Sequence, residues 1–106
     1  MNSTILWTSL AREDYYEILI FLKESYGEKT VLKFYNKIEK ELSLIKSFPK
    51  IYPKSNFNEN IRRIVIVKQV SLYYYIDDLK NEIIILRLYS NKRNPRNLND
   101  EINEPR

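Results

Sequence analysis

Residues 61–89 read IRRIVIVKQVSLYYYIDDLKNEIIILRLY, and this stretch decides the fold. Three runs within it, Ile61 to Val67, Val70 to Ile76 and Ile83 to Tyr89, are rich in Ile, Val and Tyr, lack Gly and Pro, and are separated by a few polar residues. Such runs read as strands, and connections this short join them antiparallel, because a parallel crossover needs a dozen residues or more. The prediction is a three-stranded antiparallel meander. Continuous apolar runs such as Ile64 to Val67 and Ile83 to Leu86 predict strands covered on both faces, or by helices on one face and a partner on the other.

Upstream of this stretch the apolar period changes from two to between three and four. Ala11, Tyr15, Ile18, Leu19, Leu22 and Tyr26 form one helical stripe, and Val31, Phe34, Ile38, Leu42 and Ile45 form a second. Gly27, the only glycine, stands between them where a residue with positive φ would stop the first helix. So short a link folds the helices back as an antiparallel hairpin, with both stripes facing whatever lies beneath. Before the hairpin, Ile5, Leu6 and Trp7 suit a short strand. Thr8 and Ser9 offer helix N-caps, with Glu13 and Asp14 expected in the first turn. Phe48 and Pro49 end the second helix, and Pro49 to Asn60 reads as a loop. The expected fold class is therefore α+β: an N-terminal strand, a two-helix hairpin, then the meander, with about four strands in one sheet. Residues 1–98 make one domain and 99–106 a polar tail.

Composition narrows the chemistry. A chain of 106 residues that is 43% hydrophobic supports a single core. With no cysteine and no histidine, disulfides, thiolate nucleophiles, zinc sites built on those residues and imidazole catalysis are all excluded. A single glycine leaves no phosphate-cradling loop, so no cofactor is expected, and no residue cluster calls for a metal. No apolar run approaches the roughly 20 residues that span a bilayer, and the N-terminus lacks a secretory pattern, so a cytoplasmic protein with no membrane partner is expected. The net charge of +4 is modest. It is unevenly placed: residues 46–68 carry 6 basic and 1 acidic residues and residues 87–96 carry 4 and 0, whereas residues 1–45 carry 6 and 7.

Specific residues then sharpen the reading. Trp7-Thr8-x-x-Ala11-x-x-Asp14 marks the first junction, Phe48-Pro49 follows the hairpin, and Ile61-Arg62-Arg63 opens the second strand. Tyr73-Tyr74-Tyr75-Ile76-Asp77 lies in the third strand, and Ile83-Ile84-Ile85-Leu86-Arg87-Leu88 runs into Asn91-Lys92-Arg93-Asn94-Pro95. In this order and spacing, over about residues 5 to 98, the chain resembles the RelE/ParE superfamily of type II toxin–antitoxin toxins. The resemblance implies a small bacterial toxin neutralised by a cognate antitoxin protein, which in turn binds operator DNA. RelE-like members cleave mRNA at the ribosome; ParE-like members inhibit DNA gyrase. RelE-like chemistry implies a basic residue on the third strand, an arginine past the last strand and often a nearby tyrosine or histidine. Arg93 matches the second of these, but Ser71 stands near the first position, and no tyrosine or histidine follows Arg93. The ParE-like branch is therefore preferred, with a RelE-like endonuclease as the alternative and a non-toxic, antitoxin-binding regulatory member as a third reading.

The candidate contacts to a target or nucleic acid are Lys54, Arg62, Arg63, Lys68, Arg87, Lys92, Arg93 and Arg96, which antiparallel pairing could gather on the sheet. The plainer reading is that they keep exposed strands soluble. Arg62 and Arg63 are neighbours and must point to opposite faces. An endonuclease would draw its cation from Arg87 or Arg93 and its acid or base from Lys68 or a tyrosine, since arginine does not give up its proton near neutrality. Tyr73, Tyr74 and Tyr75 are candidates for base stacking, with core or antitoxin packing the preferred role. Asp77 and Asp78 read as turn residues rather than a carboxylate pair.

Overall fold

The computed structural model describes residues 3–90. Strand β1 (Thr4–Trp7) leads into helix α1 (Ser9–Tyr26), helix α2 (Glu28–Ser47) and strands β2 (Arg62–Val67), β3 (Val70–Asp77) and β4 (Glu82–Ser90). The four strands form one sheet in the order β1-β4-β3-β2. The meander is antiparallel, as its short turns require. β1 instead joins β4 in parallel, with Thr4 opposite Glu82 and Trp7 opposite Ile85.

Local chemistry sets the helix ends. Thr8 is the N-cap of α1: its hydroxyl oxygen accepts the Ala11 N–H at 3.0 Å and donates its own proton to the Leu86 carbonyl at 3.0 Å. The first turn of α1 contains no carboxylate, contrary to the expectation for Glu13 and Asp14. Capping by Thr8 rather than Ser9 starts the helix early and leaves both a turn further in. Gly27 closes α1 and opens α2 with φ 92° and ψ 176°, and its N–H donates to the Lys23 carbonyl at 3.0 Å. Side-chain-bearing residues avoid that conformation.

Both helices pack on one face of the sheet. Phe34, Ile38, Leu42 and Ile45 of α2 and Ala11 of α1 are buried against Ile64, Ile66, Leu72, Tyr74, Ile83, Ile85 and Leu88. Tyr26, placed on the α1 stripe by periodicity, is instead exposed at the last residue of the helix and meets Phe21 edge-on at 6.3 Å. The opposite face carries a smaller cluster of Ile61, Tyr73 and Tyr89, with Phe57 and Leu86 packed against it. β3 is thus covered on both sides, and Val70 to Tyr74 are buried in sequence. The loop between α2 and β2 runs along the outer edge of β2: Ser55 N–H donates to the Ile61 carbonyl and Arg63 N–H to the Pro53 carbonyl. At the β3–β4 turn the Asp77 carboxylate accepts the Lys80 N–H at 3.2 Å, and Asn81 takes φ 55°.

A β-carbon added at Gly27 meets nothing within 4 Å, so a substitution there tests the backbone alone. Gly27→Ala should lower the unfolding free energy by about 1–3 kcal/mol in urea titration, with the fold retained. An unchanged midpoint would mean that the hairpin does not require this conformation.

Candidate functional site

β1 ends at Trp7, opposite Ile85, and leaves the rest of β4 without a strand on that side. Residues around the start of α1 take over the exposed backbone. Thr8 N–H donates to the Ile85 carbonyl at 3.1 Å, and the Thr8 hydroxyl bonds the Leu86 carbonyl. Asp14 Oδ2 then accepts the Leu88 N–H at 3.1 Å. The same carboxylate grips Arg87 through both oxygens, Oδ2 to Nε at 2.7 Å and Oδ1 to Nη2 at 3.0 Å. Only 10–11% of either side chain is exposed. Arg87 also lies over the Tyr89 ring, 5.5 Å from its centroid. A guanidinium held bidentately in a buried pair orders the fold; it is poorly placed to meet a phosphate arriving from solvent.

The other sequence-selected residues divide between the faces. Arg62 stands opposite Tyr74 on the helix-covered face, and its Nη1 donates to the Tyr52 carbonyl at 2.6 Å, fastening the loop. Arg63 stands opposite Tyr73 on the other face, and its Nε donates to the Ser71 hydroxyl at 3.2 Å. The opposed directions expected of these neighbours are present. A cation also reaches the Ser71 position from the next strand, although Ser71 itself carries none. Lys54 bridges to Arg62 at the sheet edge, and Lys68 is exposed in the β2–β3 turn. Tyr73 and Tyr74 are buried, and Tyr75 is half-buried. Lys92, Arg93, Arg96 and the tail from Asn99 lie outside the described residues.

Four tyrosines are shifted away from neutrality. Burial pushes Tyr74 up to about 12 against the opposing pull of Arg62, while its hydroxyl donates to the Pro49 carbonyl at 2.6 Å. Tyr52 is also raised to about 12, by burial first and then by donating to the Glu41 carboxylate. Tyr15, stacked on Trp7 at 5.3 Å, reaches about 12 through burial, the Glu39 carboxylate and Tyr35. Burial raises Tyr73 as well, with Arg63 opposing. General acid–base work at neutral pH needs the opposite shift. Among the described residues no group of His, Cys, Asp or Glu could hold a metal ion, and no helix is long and apolar enough to cross a membrane.

Sequence reasoning missed the role of Asp14, although a signal was there. A carboxylate three residues from Ala11 and four before Ile18 lies on the buried side of α1, and a buried carboxylate needs a partner.

Comparison with known structures places this architecture. The ParDE system of P. aeruginosa aligns with a TM-score of 0.69 at 18% identity, covering 83% of this chain and 95% of that one. The isolated E. coli RelE toxin aligns with a TM-score of 0.61 at 13% identity, covering 94% and 96%. The RelBE2 toxin–antitoxin complex of M. tuberculosis aligns at 0.53 and 18%, covering 85% and 99%. At these identities the likeness concerns the fold, which is that of the RelE/ParE superfamily. No curated relative matches by sequence. The sequence model of the ParE toxin of type II toxin–antitoxin systems, parDE, matches residues 5–95, and the chain belongs to that family.

Breaking the buried pair from one side leaves an uncompensated charge. Asp14→Ala should cost about 3–5 kcal/mol of stability, and the double change Asp14→Leu with Arg87→Met should recover most of it. Urea unfolding measures both, and a loss in the single variant as small as an exposed pair would give, about 1 kcal/mol or less, would refute the assignment.

Proposed function

We propose that this toxin acts without catalysis, by a ParE-like block of DNA gyrase, and that a cognate antitoxin protein holds it inactive and links it to operator DNA. The observation that carries the reading is the state of Arg87. Arg87, one of the two cations that the sequence offers for phosphate chemistry, is bound by Asp14 inside the fold, and burial raises Tyr73 and Tyr74 on the adjacent strand away from neutrality. Membership of the ParE family supports the same reading. The RelE-like alternative, cleavage of mRNA on the ribosome, draws on one specific contact, the approach of Arg63 to Ser71. It would still need a proton donor and acceptor, which Arg63 cannot be.

The antitoxin has a surface suited to it. Among the described residues, α1 and the far end of β4 enclose an apolar groove of about 290 Å³, lined by Ile18, Phe21, Leu22, Val67, Val70 and Leu88. A groove of this character takes the apolar side of an amphipathic segment. Several solved relatives are toxin–antitoxin complexes by description, which supports a protein partner for this chain too.

Induction of the chain alone should arrest growth, and the purified protein should inhibit supercoiling of relaxed plasmid by gyrase while ribosome-bound mRNA stays intact. Intact supercoiling with cut mRNA would transfer the assignment to the endonuclease, and unimpaired growth would sink both. Arg93→Glu should abolish growth arrest if that residue contacts the target. Retained arrest would remove it from the candidate set.

A further inference from the structure

Residues 1–45 carry 6 basic and 7 acidic residues and look nearly neutral when counted, yet folding separates their charges. On α2 the buried residues Phe34, Ile38, Leu42 and Ile45 define one side of the helix. At 100° per residue, Lys29, Lys33 and Lys40 fall on the opposite side and Lys37 on the flank next to them, and all four are exposed. The helix's carboxylates lie elsewhere. Glu28 faces Lys23 of α1 across 4.0 Å, Glu41 accepts the Tyr52 hydroxyl, and Glu39 bears on Tyr15. Among the described residues none of the four lysines has an ion-pair partner.

An exposed helix usually stabilises itself with a carboxylate four residues from each lysine. Here Lys29 is followed at that spacing by Lys33, and Lys33 by Lys37, so these pairs repel; only Lys37 has a carboxylate, Glu41, four residues on, and that one accepts the Tyr52 hydroxyl. Lys29 and Lys33 thus break a local rule, and no ion pair among the described residues compensates, which points to a compensation from outside. Over the 11 residue steps from Lys29 to Lys40 the helix rises about 16 Å, a length comparable to several successive phosphates of a nucleic-acid strand.

From this geometry we infer that the lysine track of α2 binds the phosphate backbone of nucleic acid, without reading its sequence. A polyanion supplies the missing negative charge in a line. An acidic protein partner suits the track less, since lysine is depleted at protein interfaces. The inference does not depend on whether the toxin acts on gyrase or the ribosome. The track holds the toxin near nucleic acid, and the target-contacting residues act separately.

The test is fluorescence anisotropy of a labelled 20-base-pair DNA and a single-stranded RNA of equal length, titrated with the full chain between 50 and 200 mM salt. If four lysines meet phosphates, they alone weaken duplex binding about 150-fold over that range. The variant Lys33→Gln with Lys37→Gln should lower the slope of log affinity against log salt by about 1.8 for the duplex and about 1.4 for the single strand. Lys80→Gln, an exposed change in the β3–β4 turn, should leave the slope within one lysine's worth of the parent. An unchanged slope in the double variant, no binding by the parent at 50 mM salt, or equally tight binding of polyglutamate would each overturn the inference. Unchanged thermal midpoints in the glutamine variants verify that charge, not folding, is being read.

Discussion

The architecture turns on what happens where β1 stops. A four-residue strand cannot cover a nine-residue neighbour, and the uncovered backbone of β4 would otherwise sit against the helical layer with donors and acceptors unmet. Thr8 and Asp14 take those groups in succession. The Asp14 carboxylate is the central member, because it satisfies one backbone N–H and one guanidinium at once, from a helix otherwise devoted to apolar packing. Burying the pair is costly, and well-packed apolar residues of the same volume could equal its net contribution. What the pair adds is position: a bidentate contact plus a backbone bond tie α1 to one register of β4, where sliding hydrophobic surfaces would tolerate several.

This accounts for which parts of the fold were legible in advance. The meander and the hairpin rest on local signals, namely strand-forming runs, helical stripes and one glycine, and their predicted boundaries fall within a residue or two of the observed ones. The alternation of side chains along a strand likewise located Arg62 and Arg63 on opposite faces. The parallel pairing of β1 with β4 is different. It joins residues almost eighty positions apart, and no local pattern encodes it. Asp14 escaped for a related reason: near a helix start a carboxylate has a ready explanation in the helix dipole, and its real partner stands 73 positions away.

The candidate site shows the same division between local and distant information. A segment count correctly finds basic stretches at residues 46–68 and 87–96, but counting along the chain cannot distinguish a cation presented to solvent from one consumed by the fold. Arg87 and Arg62 are spent on Asp14 and on loop carbonyls respectively. Conversely, the segment that sums to nearly zero presents an unneutralised line of lysines once α2 is coiled, because three turns of helix put like charges together and send the carboxylates to other neighbours.

The two uses of charge are complementary. Where charge is buried, it is paired and hydrogen-bonded, so its value lies in fixing geometry and it responds weakly to salt. Where it is exposed and unpaired, it adds nothing to the fold, and repulsion between neighbouring lysines subtracts a few tenths of a kcal/mol per pair. A catalytic site would require a third condition, charge that is partly desolvated and poised to gain or lose a proton near neutrality. Among the described residues the tyrosines with resolved shifts all move away from that condition, since burial dominates each of them. Chemistry on RNA would therefore need its acid and base from groups other than these four tyrosines, whereas occlusion of a large macromolecular target requires only a rigid scaffold and surfaces that match it.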